Sequence, residues 1–254
     1  MEKEWKDTYG LVGRTLGHSF SRAYFTDKFA SENINARYVN IELPEITDLL
    51  PALSKLPNLR GFNVTIPYKR EVMDLLDHID PNAAAIGAVN VVRVESDGTM
   101  TGYNTDVIGF TESIRPLVRP DVKSALVLGV GGATRAVVAG LRSLGIEPVT
   151  VSRRPGAGDL TWNEVTADVI AEHKVIVNCT PLGTWPDVDT APDLPYEAIT
   201  PSHVCFDLVY NPAETLFLRR AAARGAATRN GLEMLRLQAD AAWRLWTIRE
   251  PVNK

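Results

Sequence analysis

The sequence predicts an α/β protein built as two α/β domains. Three observations predict it. Strand-like apolar runs alternate with amphipathic, helix-like runs from end to end, the pattern of strands joined by helical crossovers. The series starts twice, at Tyr9 and again at Ser124, with a turn at Pro120-Asp121 between. The second start places a strand, a glycine-rich turn and a helix in direct succession, the order a nucleotide-binding βαβ unit requires.

Taken in order, Tyr9–Gly13 is a strand and Ser21–Ser31 a helix, with Ser21 suited to its start. Ala36–Leu43 is a strand, Glu45–Leu53 a helix and Gly61–Ile66 a strand. Pro67 opens a helix running to Leu76, since proline's missing N–H costs nothing at a first helical position. Ala88–Val94 and Thr99–Tyr103 flank Ser96-Asp97-Gly98, a hairpin signal. Ile108–Val118 is helical and ends near Pro120. In the second series Ser124–Leu128, Ile146–Ser152, Val175–Cys179 and Val204–Val209 are strands. Helices Ala133–Leu144 and Ala213–Arg224 end at Gly145 and Gly225. Thr180–Pro201, rich in Pro and Asp, is a loop with a short helix near Glu197. Leu232–Ile248 is a last amphipathic helix. The expected domains are residues 1–106 and 107–231, with the C-terminal helix 232–254 packing back on the first.

The bulk numbers exclude several classes. The chain has 254 residues, 45% apolar and 23% charged, an ordinary globular balance. That suffices for a core without disulfides or metal. A net charge of −4 argues against binding nucleic-acid phosphates. No apolar run has membrane-spanning length, and Met1–Asp7 lacks the apolar stretch of a signal peptide. Cys179 and Cys205 lie in strand-like runs and read as buried free thiols, which points to the reducing cytoplasm. No HExxH or CxxC motif occurs, so no metal is expected. His78, His173 and His203 read as helix or strand surface.

The glycine turn carries the first chemistry. Ser124–Leu128 leads into Gly129-Val130-Gly131-Gly132-Ala133-Thr134. Glycines there let the backbone approach a pyrophosphate, which meets free N–H groups and the positive end of the helix dipole. The spacing is not a strict GxGxxG, because Thr134 takes the third position. The end of the next strand selects the cofactor. An NAD site places an acid there for the ribose 2′-hydroxyl. This chain has Ser152-Arg153-Arg154. A guanidinium fork suits the 2′-phosphate of NADP, so NADP is the expected cofactor of a Rossmann-type second domain.

The first half holds polar residues in apolar company. Asn63 and Thr65 lie on a strand with Lys69 just beyond, Asn90 follows Ala88-Val89, and Asp106 ends Gly102-Tyr103-Asn104-Thr105. Gly17-His18-Ser19-Phe20-Ser21 offers two hydroxyls near a helix start. Each alone has a bland role: a cap, a surface lysine, or a partner for a buried backbone group.

Together these stretches resemble the shikimate dehydrogenase family. The resemblance rests on Gly17–Ser21, Asn63–Lys69, Gly87–Asn90, Asn104–Gly109, Gly129–Ala133, Asn178–Gly183, Tyr210-Asn211-Pro212 and Gly231–Leu235 with Gln238, in the family's order over nearly the whole chain. It implies reversible reduction of 3-dehydroshikimate to shikimate with NADPH, in aromatic amino-acid biosynthesis. It implies an N-terminal substrate-binding domain and a Rossmann NADP-binding domain. Ser19 and Ser21 would hold the substrate carboxylate. Thr65, Asn90 and Gln238 would bind ring hydroxyls, and Tyr210 would lie near the carboxylate or ring. Lys69 and Asp106 would be the catalytic pair. Gly129, Gly131, Gly132, Ala133, Ser152, Arg153 and Arg154 would bind NADP, with Gly231 and the Leu208 backbone bordering the nicotinamide.

The chemistry agrees with those roles. A ketone receiving a hydride develops negative charge on oxygen, which an ammonium can neutralise and protonate. The chain departs from the family pattern at Arg22, where proline is usual, at Thr26 and Ser152, where asparagine is common, at Arg154 for threonine and at Cys179 for alanine. A quinate/shikimate dehydrogenase accepting NAD and a non-catalytic NADP-binding regulatory module are the alternatives. Arg153 weighs against the first, and Lys69 with Asp106 against the second.

Overall fold

A computed structural model describes residues 4–17 and 20–248. The chain divides into two compact units, Met1–Thr105 with Ala239–Lys254, and Asp106–Gln238.

The first unit runs β1 (Asp7–Gly13), α1 (Phe20–Ser31), β2 (Ala36–Glu42), α2 (Leu49–Leu53), β3 (Leu59–Val64), β4 (His78–Ile79), α3 (Pro81–Ile86), β5 (Val91–Val94) and β6 (Met100–Tyr103). Its sheet has the order β2-β1-β3-β5-β6-β4. β1 is parallel to β2 and β3, whereas β5 is antiparallel to β3 and β6. The β5–β6 pair is the hairpin read around Gly98. Because side chains alternate across a strand, the sheet builds two cores. Tyr9 and Leu11 pack with Phe25 and Phe29 of α1 and with Ala239, Ala242 and Trp246 from the chain's far end. Val12, Phe62 and Val64 pack with Leu49, Tyr68 and Val72. The Trp246 indole N–H donates to Val92 O (2.9 Å) and ties the C-terminal helix to the sheet.

The second unit runs α4 (Asp106–Ile114), β7 (Ser124–Leu128), α5 (Thr134–Ser143), β8 (Glu147–Ser152), β9 (Leu160–Thr161), α6 (Ala167–Glu172), β10 (Val175–Asn178), β11 (Val204–Asp207), α7 (Leu216–Ala222), β12 (Ala227–Arg229) and the start of α8 (Leu232–Thr247). Its six strands are all parallel, in the order β12-β11-β10-β7-β8-β9. That is the doubly wound order, which reverses at β7 and opens a crevice at the strand ends there. β7 is apolar on both faces because helices cover both: Leu126 and Leu128 face one core, Ala125 and Val127 the other.

Several elements differ from the sequence reading. No α-helix spans Pro67–Leu76: the segment turns, then forms a 3-10 stretch at Glu71–Leu75. Tyr68 is fully buried and its hydroxyl donates to Leu43 O (2.6 Å), so packing draws the chain inward where a helix would have left it outside. The helix expected from Glu45 begins as a 3-10 turn at Ile46–Asp48 before α2. α7 starts only at Leu216, because Thr215 caps it by accepting the Leu218 N–H. His173 and His203 are buried, not on the surface. His203 bonds Ile170 O through Nε2 (2.9 Å) and Thr200 through Nδ1, so it pins α6 to the sheet. Leu232–Gln238, expected with the first domain, falls in the second unit, where Met234 enters the core. Among the described residues no helix is long and apolar enough to cross a membrane, and no group of three or more His, Cys, Asp or Glu is placed to hold a metal ion.

Candidate active site and cofactor cavity

The first unit gathers its predicted polar residues into one relay. Ser21, in the first turn of α1, hydrogen-bonds the Tyr38 hydroxyl of β2. Tyr38 donates to Asn63 Oδ1 (2.6 Å), and Asn63 Nδ2 donates to Asn90 O (3.3 Å). Asn90 Nδ2 in turn donates to Thr105 Oγ1 (3.1 Å), while the Thr105 N–H donates to Asn90 Oδ1 (2.7 Å). The relay thus runs from a helix start across three strands to the residue before Asp106. Its interior members Tyr38, Asn63, Asn90 and Thr105 are buried, and burial drives the Tyr38 phenol well above its ordinary pKa, with the Ser21 bond opposing. Buried amides and hydroxyls are tolerated only when paired, and here each pairs with the next.

Thr65 and Lys69 join the same neighbourhood through the backbone. Thr65 follows β3, its N–H donates to Val12 O (2.9 Å), and its carbonyl accepts the Tyr68 N–H (3.0 Å). The Lys69 carbonyl accepts the Val89 N–H (2.7 Å), one residue before Asn90. Lys69 is half-buried. Ser19 lies outside the described residues.

In the second unit a cavity of about 670 Å³ opens where β7, β8 and β10 end. Gly129, Val130 and Gly131 line one side, Ser152, Arg153 and Arg154 another, and Cys179, Thr180 and Pro181 a third. Gly129 has φ +107 and needs its glycine for that turn. Side chains built at Gly131 or Gly132 would meet no protein atom within 4 Å, so the space they leave is open to a ligand. Ala133, the N-cap of α5, supplies no side-chain acceptor to the helix N–H groups, which are left for an anion. Neither Arg153 nor Arg154 has an ion-pair partner among the described residues. An open glycine turn, a bare helix start and two uncommitted guanidiniums fit a phosphorylated dinucleotide.

A buried network shapes the far wall. Asp207 ends β11 and accepts from Asn178 Nδ2 (2.9 Å), Thr215 Oγ1 (2.6 Å) and the Val209 N–H (3.0 Å). Asn178 Oδ1 accepts from the hydroxyl (2.6 Å) and N–H (3.0 Å) of Thr180, fixing the loop that faces Gly129. Burial pushes the Asp207 carboxyl up to about 6, and the three donors pull against it. Beyond this network Gly231 donates to Val209 O (3.1 Å) and lies against the Leu208 backbone. Burial also pushes the Cys179 thiol, in the cavity wall, up to about 12, so it stays protonated at neutral pH.

Asp106, Tyr210 and Gln238 fall in this second unit, apart from Ser21, Thr65, Lys69 and Asn90. Asp106 opens α4, a favourable place for an acid on a helix. A side chain at Gly109 would strike Met234 O at 2.4 Å, so α4 and α8 cross closely. Gln238 is buried, and its Nε2 donates to Leu235 O (2.9 Å). Tyr210 is exposed.

The sequence reading missed Tyr38, Asp207, Thr215 and Trp162, which complete these surroundings. The signal for Asp207 was an acid directly after the apolar run Val204-Cys205-Phe206. Tyr38 carried no such mark, because a tyrosine in a strand is ordinary packing.

Comparison with known proteins agrees with this architecture. Residues 11–92 match the model of the shikimate dehydrogenase substrate binding domain. A shikimate dehydrogenase (NADP(+)) of Desulforamulus reducens is 37% identical, over 94% of this chain and 89% of that protein. A shikimate 5-dehydrogenase of Thermus thermophilus, solved with NADP(H) and shikimate, superposes with TM-score 0.84 at 33% identity, over 96% of this chain and 95% of that one. A quinate dehydrogenase of Corynebacterium glutamicum, solved with NAD, gives TM-score 0.86 at 29% identity, over 98% and 96%. With relatives this similar along nearly its whole length, a polar relay in the first unit and a dinucleotide crevice in the second, the chain belongs to the shikimate dehydrogenase family.

Proposed function

We propose that this protein is an NADP-dependent shikimate dehydrogenase, reversibly reducing 3-dehydroshikimate to shikimate in aromatic amino-acid biosynthesis. The observation that carries the reading is Arg153 and Arg154, uncommitted at the end of β8 in a dinucleotide cavity, on a chain that also carries the Ser21–Thr105 relay. NADPH, when bound, supplies the hydride. The Gly129–Ala133 turn and the start of α5 would hold its pyrophosphate, and Ser152, Arg153 and Arg154 its 2′-phosphate. Leu208 and Gly231 would border its nicotinamide.

Ser19 and Ser21 hold the substrate carboxylate, with Tyr210 near it. Thr65, Asn90 and Gln238 bind the ring hydroxyls. Asn90, already aligned by the relay, rejects analogues that lack a hydroxyl, because a buried partner would be stranded. Lys69 neutralises charge on the carbonyl oxygen and delivers its proton. In the other direction, neutral Lys69 takes the proton of the alcohol. Asp106 hydrogen-bonds the same hydroxyl and keeps the ammonium in place. Two unbridged cysteines and a net charge of −4 support action in the cytoplasm on a small molecule, without nucleic acid or membrane.

The test is oxidation of shikimate and of quinate, with NADP and with NAD, followed through absorbance of the reduced cofactor. Turnover is expected with shikimate and NADP. Its absence would sink the reading, and preference for quinate with NAD would replace it with the relative's activity.

A further inference from the structure

Beyond the glycine turn and the arginines, the cofactor cavity has one aromatic wall residue, Trp162. β8 and β9 run parallel, with Val151 beside Leu160 and Ser152 beside Thr161. The next residues along the chain from each strand are Arg153 and Trp162, so both follow the same end of this strand pair. Both line the same cavity.

Each is held by a local lock. On the arginine side, Asp159 Oδ2 accepts the Thr150 N–H (2.7 Å) and hydroxyl (2.7 Å), and the Asp159 N–H returns a bond to Thr150 Oγ1 (3.1 Å). The segment bearing Arg153 and Arg154 is thereby closed into a short loop. On the tryptophan side, Thr161 and Glu164 form a capping box around the 3-10 turn Trp162–Glu164, with the carboxylate taking the Thr161 N–H and hydroxyl at 2.6 Å each. Trp162 itself is half-buried and packs against the core that includes Leu126, Leu128 and Val151. One part of the indole is anchored in that core and another meets the cavity.

We propose that Trp162 is the stacking platform for the adenine ring of the dinucleotide. The inference rests on the NADP reading above. A planar, apolar surface fixed beside two cations matches one ligand chemistry, a purine base whose ribose carries a phosphate. The base stacks on the indole and the phosphate meets the guanidiniums.

The test separates base from phosphate. Adenosine 2′,5′-bisphosphate and 5′-AMP are titrated calorimetrically against the wild type, Trp162→Leu, Trp162→Phe and Arg153→Ala. Trp162→Leu keeps an apolar filler without a π face. It should weaken both ligands by roughly tenfold, and Trp162→Phe should restore most of that affinity. Arg153→Ala should weaken the bisphosphate and spare 5′-AMP. On the unsubstituted protein, magnetisation transfer from indole protons to adenine protons of the bound bisphosphate is expected, whatever the fate of the variants. Equal affinity of wild type and Trp162→Leu, or no indole-to-adenine transfer, would overturn the proposal. A wild type that binds neither ligand would instead overturn the NADP reading beneath it.

Discussion

Lys69 sits where a backbone bond fixes its position: its carbonyl takes the Val89 N–H. Lys69→Ala should lower kcat by roughly 10²–10⁴-fold, the range for a general acid–base residue, and change KM for shikimate far less. Near-normal kcat in steady-state assays would place the proton elsewhere. Arg153→Ala should raise KM for NADP well beyond any effect on KM for shikimate, and equal rises would contradict its role. Asp207 gives a pH signature. Its carboxyl is at about 6 in the folded protein against 3.8 for the free group, so the native state holds the proton more tightly. The stabilisation is full below the unfolded value and is lost as pH rises through about 6, roughly 3 kcal/mol in all. Urea titrations should show the wild type losing stability relative to Asp207→Asn between about pH 4 and pH 6–7, and a constant difference would refute it. The predicted site residues were legible as outliers, polar groups in apolar runs. Their partner Tyr38, and Thr215 that bonds Asp207, were not, since a strand tyrosine and a loop threonine differ from their neighbours only in whom they meet.

At the scale of elements, long periodic segments were readable and short capped ones were not. β1, α1, β7 and α5 lie within a residue or two of their sequence reading, because hydrophobic period fixes them. α3 was missed, although Asp80 caps it by accepting from Asn82 and Ala83 and Gly87 ends it in the left-handed region. Three consecutive alanines carry no amphipathic period, so only the caps mark that helix. The same caps deliver Ala88-Val89-Asn90 to the relay. Asp80→Ala should therefore cost about 1 kcal/mol of stability, the usual worth of an N-cap, measurable as a lower urea midpoint. An unchanged midpoint would mean that packing alone holds α3. The helix wrongly expected over Pro67–Leu76 fails for the converse reason, since local propensity yields to burial of one large side chain, Tyr68.

For the molecule as a whole, the alternation of strands and helices announced two α/β units, and the glycine turn with its neighbouring arginines announced what the second unit holds. The mixed sheet of the first unit was announced only by its hairpin. A ligand that binds only the folded state stabilises it by mass action, so NADP at a hundred times its Kd should add about 2.7 kcal/mol. Differential scanning calorimetry should show a higher Tm with NADP and a smaller shift with NAD at the same concentration. Equal shifts would remove the 2′-phosphate from the recognition.

The C-terminal helix α8 has a consequence for synthesis. Its first turns complete the contiguous second unit, while Ala239, Ala242 and Trp246 finish a core whose other members, from Tyr9 to Val91, were made first. Domains emerging from a ribosome usually mature in the order they are translated. In this chain the order inverts: the first unit waits, its aromatic layer uncovered, until Ala239–Trp246 has been made and released.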